Sequence, residues 1–256
     1  MKYAGLVILF SFLKIASAGA QSNYEIQVYG ADTVEPHTTM FEVHSNFTAN
    51  GQKTTDDGTL PTNHAEHETL EITHGFTKYF EIGYYNFTSI NPGSGWQWAG
   101  THIRPRVAVP KEWHWPVGVS LSTEFGYVRP QFSADTWGWE IRPIVDKQMG
   151  KFYWAVNPAL EKSFKGPSKN DGFVFAPNVQ ISYDFSDKVN GAIEYYGSVG
   201  TLTHWDPINM QEHQIFPAVN LNLSPDWEIN IGVGVGLTNP TDRLIFKTIV
   251  GRRLKF

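Results

Sequence analysis

Alternation is the dominant pattern in this chain. In the last stretch, Leu244, Phe246, Thr248, Val250, Leu254 and Phe256 share one parity, and Ile245, Lys247, Ile249, Gly251, Arg253 and Lys255 share the other. Successive side chains of a strand point to opposite faces, so a period of two predicts a strand. The run exceeds the roughly 5–6 residues of an ordinary strand and reaches the about 9–11 needed to cross a bilayer at a tilt. Near Trp227–Leu237, Trp227, Ile229, Ile231, Val233 and Val235 oppose Glu228, Asn230, Gly232, Gly234 and Gly236. In an earlier stretch, Phe41, Val43 and Phe47 oppose Met40, Glu42, His44 and Asn46.

The same reading along the chain predicts about twelve strands. They lie near 37–49, 65–74, 78–88, 97–109, 117–128, 136–147, 151–164, 172–184, 191–198, 211–223, 227–237 and 243–256. Short connections such as Met149-Gly150 and Ser224-Pro225-Asp226 alternate with longer ones such as 165–171 and 199–210. An even strand count with alternating short turns and long loops is the plan of a bacterial outer-membrane barrel. The fold expected is therefore all-β, a single transmembrane antiparallel up-and-down barrel. Tryptophans test this placement independently. Trp96, Trp98, Trp137, Trp139 and Trp205 fall at predicted outer ends, and Trp113, Trp115, Trp154 and Trp227 at predicted periplasmic ends. Two rings at head-group depth are what aromatic belts require.

Composition narrows the class. Aromatic residues make up 14%, yet mean hydropathy is slightly negative. That combination suits a lipid face diluted by a polar lumen. Lys and Arg total 20 against 25 Asp and Glu, with no basic stripe, which argues against nucleic acid as a partner. The absence of cysteine excludes disulfides, thiolate metal sites and lipid-modified Cys.

Residues 1–20 have the form of a signal peptide: Lys2, an apolar run from Leu6 to Leu13, then Ala18-Gly19-Ala20. The run is too short for a transmembrane helix, and Lys14 interrupts it. Residues 21–36 form an irregular lead-in, expected at the periplasmic end, at the barrel mouth or tucked inside it. The barrel occupies 37–256. Its partners are then outer-membrane lipid, the barrel-assembly machinery and a small-molecule solute. The closing strand ends on Phe256, which resembles the C-terminal aromatic insertion signal of such barrels.

Charges collect on the parity opposite the apolar one. Glu42, Glu71, Glu81, Glu124, Glu140, Glu161, Glu194 and Glu228 share it with Arg104, Arg106, Arg142, Lys247 and His44. A charge facing lipid at mid-depth costs about 2–4 kcal/mol, so this parity is expected to line the lumen. Two readings follow. One is a conduit whose constriction sets the three arginines against the carboxylates. The other is a paired network that fills a narrow barrel. Gly232, Gly234 and Gly236 would clear space along one wall and favour the conduit.

Pro105, Pro143, Pro158, Pro177 and Pro217 fall inside predicted strands, all on the outward parity. Proline cannot donate to a ladder, so these positions read as wall bulges. A bolder reading makes them weak points for lateral exit of an apolar solute. His64, Glu66 and His67, beyond Asp56 and Asp57, have metal-ligand chemistry but match no zinc spacing, and a solvated loop fits them better. Neither cofactor nor metal is expected. A lipid-acting enzyme needs a nucleophile beside a base. His44-Ser45 is the nearest pair, but strand neighbours face opposite ways.

Two stretches carry a resemblance. They are Gly30-Ala-Asp-Thr-Val-Glu-Pro-His-Thr-Thr-Met-Phe-Glu-Val43 and Leu70-Glu-Ile-Thr-His-Gly-Phe-Thr-Lys-Tyr-Phe-Glu-Ile-Gly83. With the barrel pattern they resemble outer-membrane proteins named for the meta-pathway of phenol degradation. The chain departs at His37, where Gly is expected, and at His74, where Tyr is usual. The resemblance implies a bacterial outer-membrane barrel that moves hydrophobic or aromatic compounds, and it transfers no catalytic residue. The function expected is passive passage of small solutes without catalysis. The alternatives are a lipid-modifying enzyme and a closed structural or adhesive barrel.

Overall fold

The computed structural model describes residues 23–55 and 57–255. The expected signal peptide and the terminal Phe256 lie outside the described residues. Twelve long strands form the wall: β1 (Thr38–Asn50), β2 (Glu66–Thr77), β3 (Phe80–Asn91), β4 (Gly95–Ala108), β5 (Gly118–Val128), β6 (Trp137–Met149), β7 (Phe152–Lys165), β8 (Val174–Ser186), β9 (Val189–Ser198), β12 (Glu212–Leu221), β13 (Trp227–Gly236) and β14 (Leu244–Lys255). Two-residue strands β10 (Gly200–Thr201) and β11 (His204–Trp205) form a ribbon in the loop after β9. Each long strand pairs antiparallel with the next, and β14 returns to pair with β1 from Thr38↔Lys255 to Phe47↔Phe246. Closure leaves no free edge, so every wall strand finds a ladder partner on both sides. Among the described residues no helix is long and apolar enough to cross a membrane.

The alternation sorts side chains as barrel geometry demands. Ile103, Ile181, Ile193 and Ile231 are exposed on the outer surface, while Glu42, His44, Glu71 and Lys247 are buried within. An outer face so apolar is solvated by lipid. Thr38 and Lys255 meet at one rim, called here the lower rim, and the longer loops crown the upper rim.

The prolines interrupt the ladder without slipping it. Between β6 and β7, pairing runs to Ile141↔Leu160 and resumes at Val145↔Val156 in unchanged register, with Pro143 and Pro158 in the gap. Pro105 lies in a similar gap between Ile103↔Phe125 and Arg106↔Ser122, and Pro217 in one between Ile215↔Val235 and Ala218↔Gly232. Pro158 and Pro177 face each other directly across β7 and β8. The bulge expectation is therefore corrected. Register shifts fall at other places, such as Thr48/Asn50 and Trp137/Gly138. A missing N–H removes a ladder bond, but no extra residue is inserted, so the strands stay in phase.

The glycine wall of β13 is also not open. Space beside Gly234 is taken by the Phe216 ring, beside Gly232 by Lys247, and beside Gly236 by Thr241 and Asp242. The glycines accommodate neighbouring side chains rather than clearing a channel.

Candidate permeation path and its internal plug

Of the two places open to the lead-in, the periplasmic mouth and the barrel interior, the described part takes the interior. Residues 23–31 run down the lumen, and residues 32–36 reach the lower rim. Nearly the whole stretch is buried among lumen side chains, Asn23, Tyr24, Glu25, Ile26, Val28, Tyr29 and Ala31 alike. Among the described residues it joins the sheet at one bridge, Pro36↔Gly75. The unpaired backbone groups of such a segment need partners, and lumen side chains supply them. Thr69 Oγ1 donates to Tyr24 O at 2.7 Å, Lys247 Nζ to Ile26 O at 3.1 Å, and Asn46 Nδ2 to Asn23 O at 3.0 Å. Lower down, Arg106 donates to Gly30 O at 2.9 Å and to Asp32 O at 2.7 Å. Ala31 N donates to Asp146 Oδ2 at 2.9 Å, and Val34 N to Glu81 Oε2 at 2.6 Å.

Tyr29 is the centre of this arrangement. Its N–H donates to Asn157 Oδ1 at 2.8 Å, and Asn157 Nδ2 donates back to its carbonyl at 2.9 Å. The ring lies between two guanidinium groups, with Arg104 Cζ 4.3 Å and Arg142 Cζ 5.0 Å from its centroid. Both fall within the roughly 6 Å reach of a cation–π contact. Its hydroxyl bonds to Glu25 and stands 3.2 Å from Tyr85 Oη.

The apolar interior clusters around the same segment. Tyr24 packs with Tyr85, Phe87 and Val128, Ile26 with Phe216 and Ile245, and Tyr29 and Ala31 with Ile144. Tyr85, Phe87, Ile144, Phe216 and Ile245 are apolar residues on the lumen parity, where a water-filled barrel has no use for them. They are the signal in the sequence that something fills the lumen. Asn157 carries a second signal, as a buried amide between the small, lumen-facing Ala155 and Ala159.

The candidate lumen residues form two groups. Near the lower end, Arg104 pairs with Glu71 at 2.7 Å and stands 3.8 Å from Glu81, which Arg106 contacts at 2.6 Å. Higher, Arg142 pairs with Glu140 at 2.6 Å and lies 3.5 Å from Glu25 of the lead-in. His102 bonds to Glu124, and Lys247 to Glu194. Glu42 and His44 line β1 beside Glu71. Glu161 is half-buried between the two upper cavities, and Glu228 pairs with Arg253 at 2.9 Å near the lower rim. Arginines and carboxylates thus meet as pairs around the lead-in.

Cavities lie on either side of the plug. An upper one of about 360 Å³ is lined by Val128, Trp139, Glu161, Lys162, Val174 and His204. Through Glu161 and Ser198 it adjoins a small one of about 60 Å³ that includes Arg142 and Glu25. Below, spaces of about 510 Å³ and 270 Å³ share Tyr153, Glu228 and Arg253. No residue lines both the upper pair and the lower pair, and the Tyr29–Asn157–Arg142 contact lies between them.

The remaining candidates do not assemble. His64 is exposed, whereas His67 is buried against the Tyr24 ring at 4.8 Å, so the two do not share a ligand site. His44 faces the lumen, while Ser45 Oγ donates to Glu68 at 2.8 Å on the other face. The two resemblance stretches do meet. His37 N donates to Gly75 O at 2.9 Å, and His74 bonds to Thr39 at 2.9 Å. His37 has φ 59°, a left-handed conformation that favours glycine, which explains why Gly is the expected residue there.

No protein-family model matches the chain, and no curated protein matches it in sequence. Solved structures do match. The COG4313 outer membrane channel from Pseudomonas putida F1 is similar at TM-score 0.61 and 9% identity, covering 90% of this chain and 100% of that one. The NanC porin is similar at TM-score 0.54 and 9% identity, over 84% and 100% of the two chains. The KdgM porin is similar at TM-score 0.51 and 12% identity, over 85% and 99%. At such identities the likeness is one of architecture: the chain has the closed antiparallel barrel seen in outer-membrane porins and channels.

Proposed function

We propose that the protein is a bacterial outer-membrane channel for small solutes, closed along its axis by its own N-terminal segment. One observation carries this reading: residues 23–31 occupy the lumen and are fixed to it at Tyr29. A plugged barrel with cavities on both sides is a gated path, not a free-diffusion pore. With the start of β1 and the end of β14 on the periplasmic side, the upper cavity opens toward the cell exterior. The twelve lumen residues and His44 then form the walls of the path, and Arg104 and Arg142 its constriction against Tyr29.

The solute class we assign is hydrophobic or aromatic and small. The resemblance to the phenol-pathway proteins supports it, as does the mixed lining of the upper cavity. Trp139 and Lys162 belong to the outward parity of β6 and β7, whereas Glu161 and Val174 face inward. The cavity thus reaches across the line of the wall. Below it, Pro143 and Pro158 leave a gap in the β6–β7 ladder, and Pro177 lies just past the Asn178↔Tyr196 end of the β8–β9 ladder. That is where an apolar solute would leave the lumen sideways.

Flux into proteoliposomes containing the refolded, signal-free protein tests the reading. Benzoate and phenol, after correction for bare-lipid leakage, should enter faster than a neutral sugar of similar mass. No protein-dependent flux of any of them, with insertion demonstrated, would overturn it.

A further inference from the structure

Two carboxylates in the lumen stand in an arrangement that ordinarily costs stability. Glu42 of β1 and Glu71 of β2 are direct cross-strand partners on the same face. Like charges so placed repel. Glu71 is partly answered, since its Oε1 accepts from Arg104 at 2.7 Å and from Thr73 Oγ1 at 2.7 Å. Those two bonds also fix the carboxylate and aim its other oxygen away from the arginine. Among the described residues, Glu71 Oε2 and Glu42 Oε1 accept no hydrogen bond.

His44 completes the group. It lies two residues beyond Glu42, hence on the same face, and it is fully buried. Among the described residues neither of its ring nitrogens has a hydrogen-bond partner. Nε2 stands 3.4 Å from Glu71 Oε2, without the alignment of a hydrogen bond. A buried imidazole left in this state is expensive, because each unmade bond costs the full desolvation of the group. One ligand atom from each of Glu42, His44 and Glu71 falls within 4.8 Å of the others.

We infer that Glu42, His44 and Glu71 form a binding site for a first-row divalent cation, with Zn²⁺ the foremost candidate. Metal–nitrogen and metal–oxygen bonds of about 2.0–2.2 Å at tetrahedral angles set neighbouring ligand atoms roughly 3.4 Å apart, which is the His44–Glu71 spacing. A nitrogen and two carboxylate oxygens suit such an ion better than the all-oxygen shell of Ca²⁺ or Mg²⁺. Arg104 and Thr73 act as the outer shell that orients Glu71. Opposite Glu42 on β14 is Gly251, which leaves room for the Glu42 side chain. Three protein ligands leave a fourth position. Glu42 and Glu71 line the lower cavity of about 510 Å³ together with Gln27, whose Oε1 is also without a partner. The ion therefore has a route from the periplasmic side, and water or an anionic oxygen fills its fourth position.

The site lies in the wall of the proposed path, but its test does not depend on transport. The full mature chain, refolded in detergent and stripped with chelator, is dialysed against micromolar Zn²⁺ and analysed for bound metal. About one Zn²⁺ per folded chain is expected, with Glu42→Gln and His44→Gln each weakening binding by about tenfold or more. His67→Gln, on the same face of the lumen wall but outside the group, should bind as the parent does. Co²⁺ gives an independent readout on the unaltered chain: a four-coordinate site yields intense visible absorption that Zn²⁺ displaces. Folding of each variant is checked by heat-dependent gel migration. Absence of both bound Zn²⁺ and Co²⁺ bands in the folded parent would overturn the inference, leaving a proton to relieve the Glu42–Glu71 repulsion. So would equal binding by the folded Glu42→Gln and His44→Gln variants.

Discussion

Replacing Asn157 with alanine should loosen the plug without harming the wall. The amide makes two bonds to Tyr29, accepting from its N–H at 2.8 Å and donating to its carbonyl at 2.9 Å. Both are fully buried. Removing one partner of a buried bond costs about 1–3 kcal/mol, since the other is left dry and unpaired. Two such losses weaken docking by about 2–6 kcal/mol, and at about 1.4 kcal/mol per factor of ten the undocked population rises about 30- to 20,000-fold. The other anchors, including Ala31–Asp146 and Arg106–Gly30, keep the docked form in the majority. Alanine fits beside Ala155 and Ala159, so the wall should fold as before. The chain contains no cysteine, so Val28→Cys supplies a single thiol at a buried plug position. Its reaction with a charged, membrane-impermeant thiol reagent reports each undocking. In the Asn157→Ala background the rate should rise by about two orders of magnitude. A rate unchanged from Val28→Cys alone would refute the assignment of Asn157 as the central tether.

Three further outcomes follow from the same contacts. Gly75→Ala places a Cβ 2.3 Å from Val34 O and 2.4 Å from Glu35 O, a backbone clash that should lower the thermal midpoint of gel-monitored unfolding by the equivalent of about 1–3 kcal/mol; an unchanged midpoint contradicts the crossing of lead-in and β2. The hydrogen bond from Lys255, 2.8 Å away, holds the Glu35 carboxyl below the usual carboxylate range. Because the folded value is depressed, the latch persists above the ordinary carboxylate range and is lost as pH falls through the depressed value; a carboxyl NMR titration of Glu35 at the ordinary value would contradict it. Restoring the ladder with Pro158→Val and Pro177→Val should reduce benzoate flux in a folded barrel, and unchanged flux would remove the lateral route.

The wall was legible because its determinants are local. Trp227 to Val235 alternates without a break, and the structure ends β13 at Gly236, within a residue of the expected strand. The plug was not, because nothing local separates Tyr24-Glu-Ile-Gln-Val-Tyr29 from a short strand. Its partners lie far along the chain: Asp242 for Asn23, Asn157 for Tyr29. The apolar residues on the lumen parity, Phe87 and Phe216 above all, held the clue, but each looks like an ordinary exception until the segment beside it is seen. Glycine and proline misled for a related reason. A missing side chain at Gly234 says nothing of the Phe216 ring that fills the space. A missing N–H at Pro158 says a bond is lost, not whether the register slips.

Single-channel conductance in planar bilayers tests the central claim, that the N-terminal segment closes the axis. The unaltered chain should give small, rare steps. The Tyr29→Ala, Asn157→Ala double variant removes both the ring between the arginines and its tether, and should give larger, more frequent ones. Wide, constant conductance from the unaltered chain, or identical traces from the two proteins, would contradict the account.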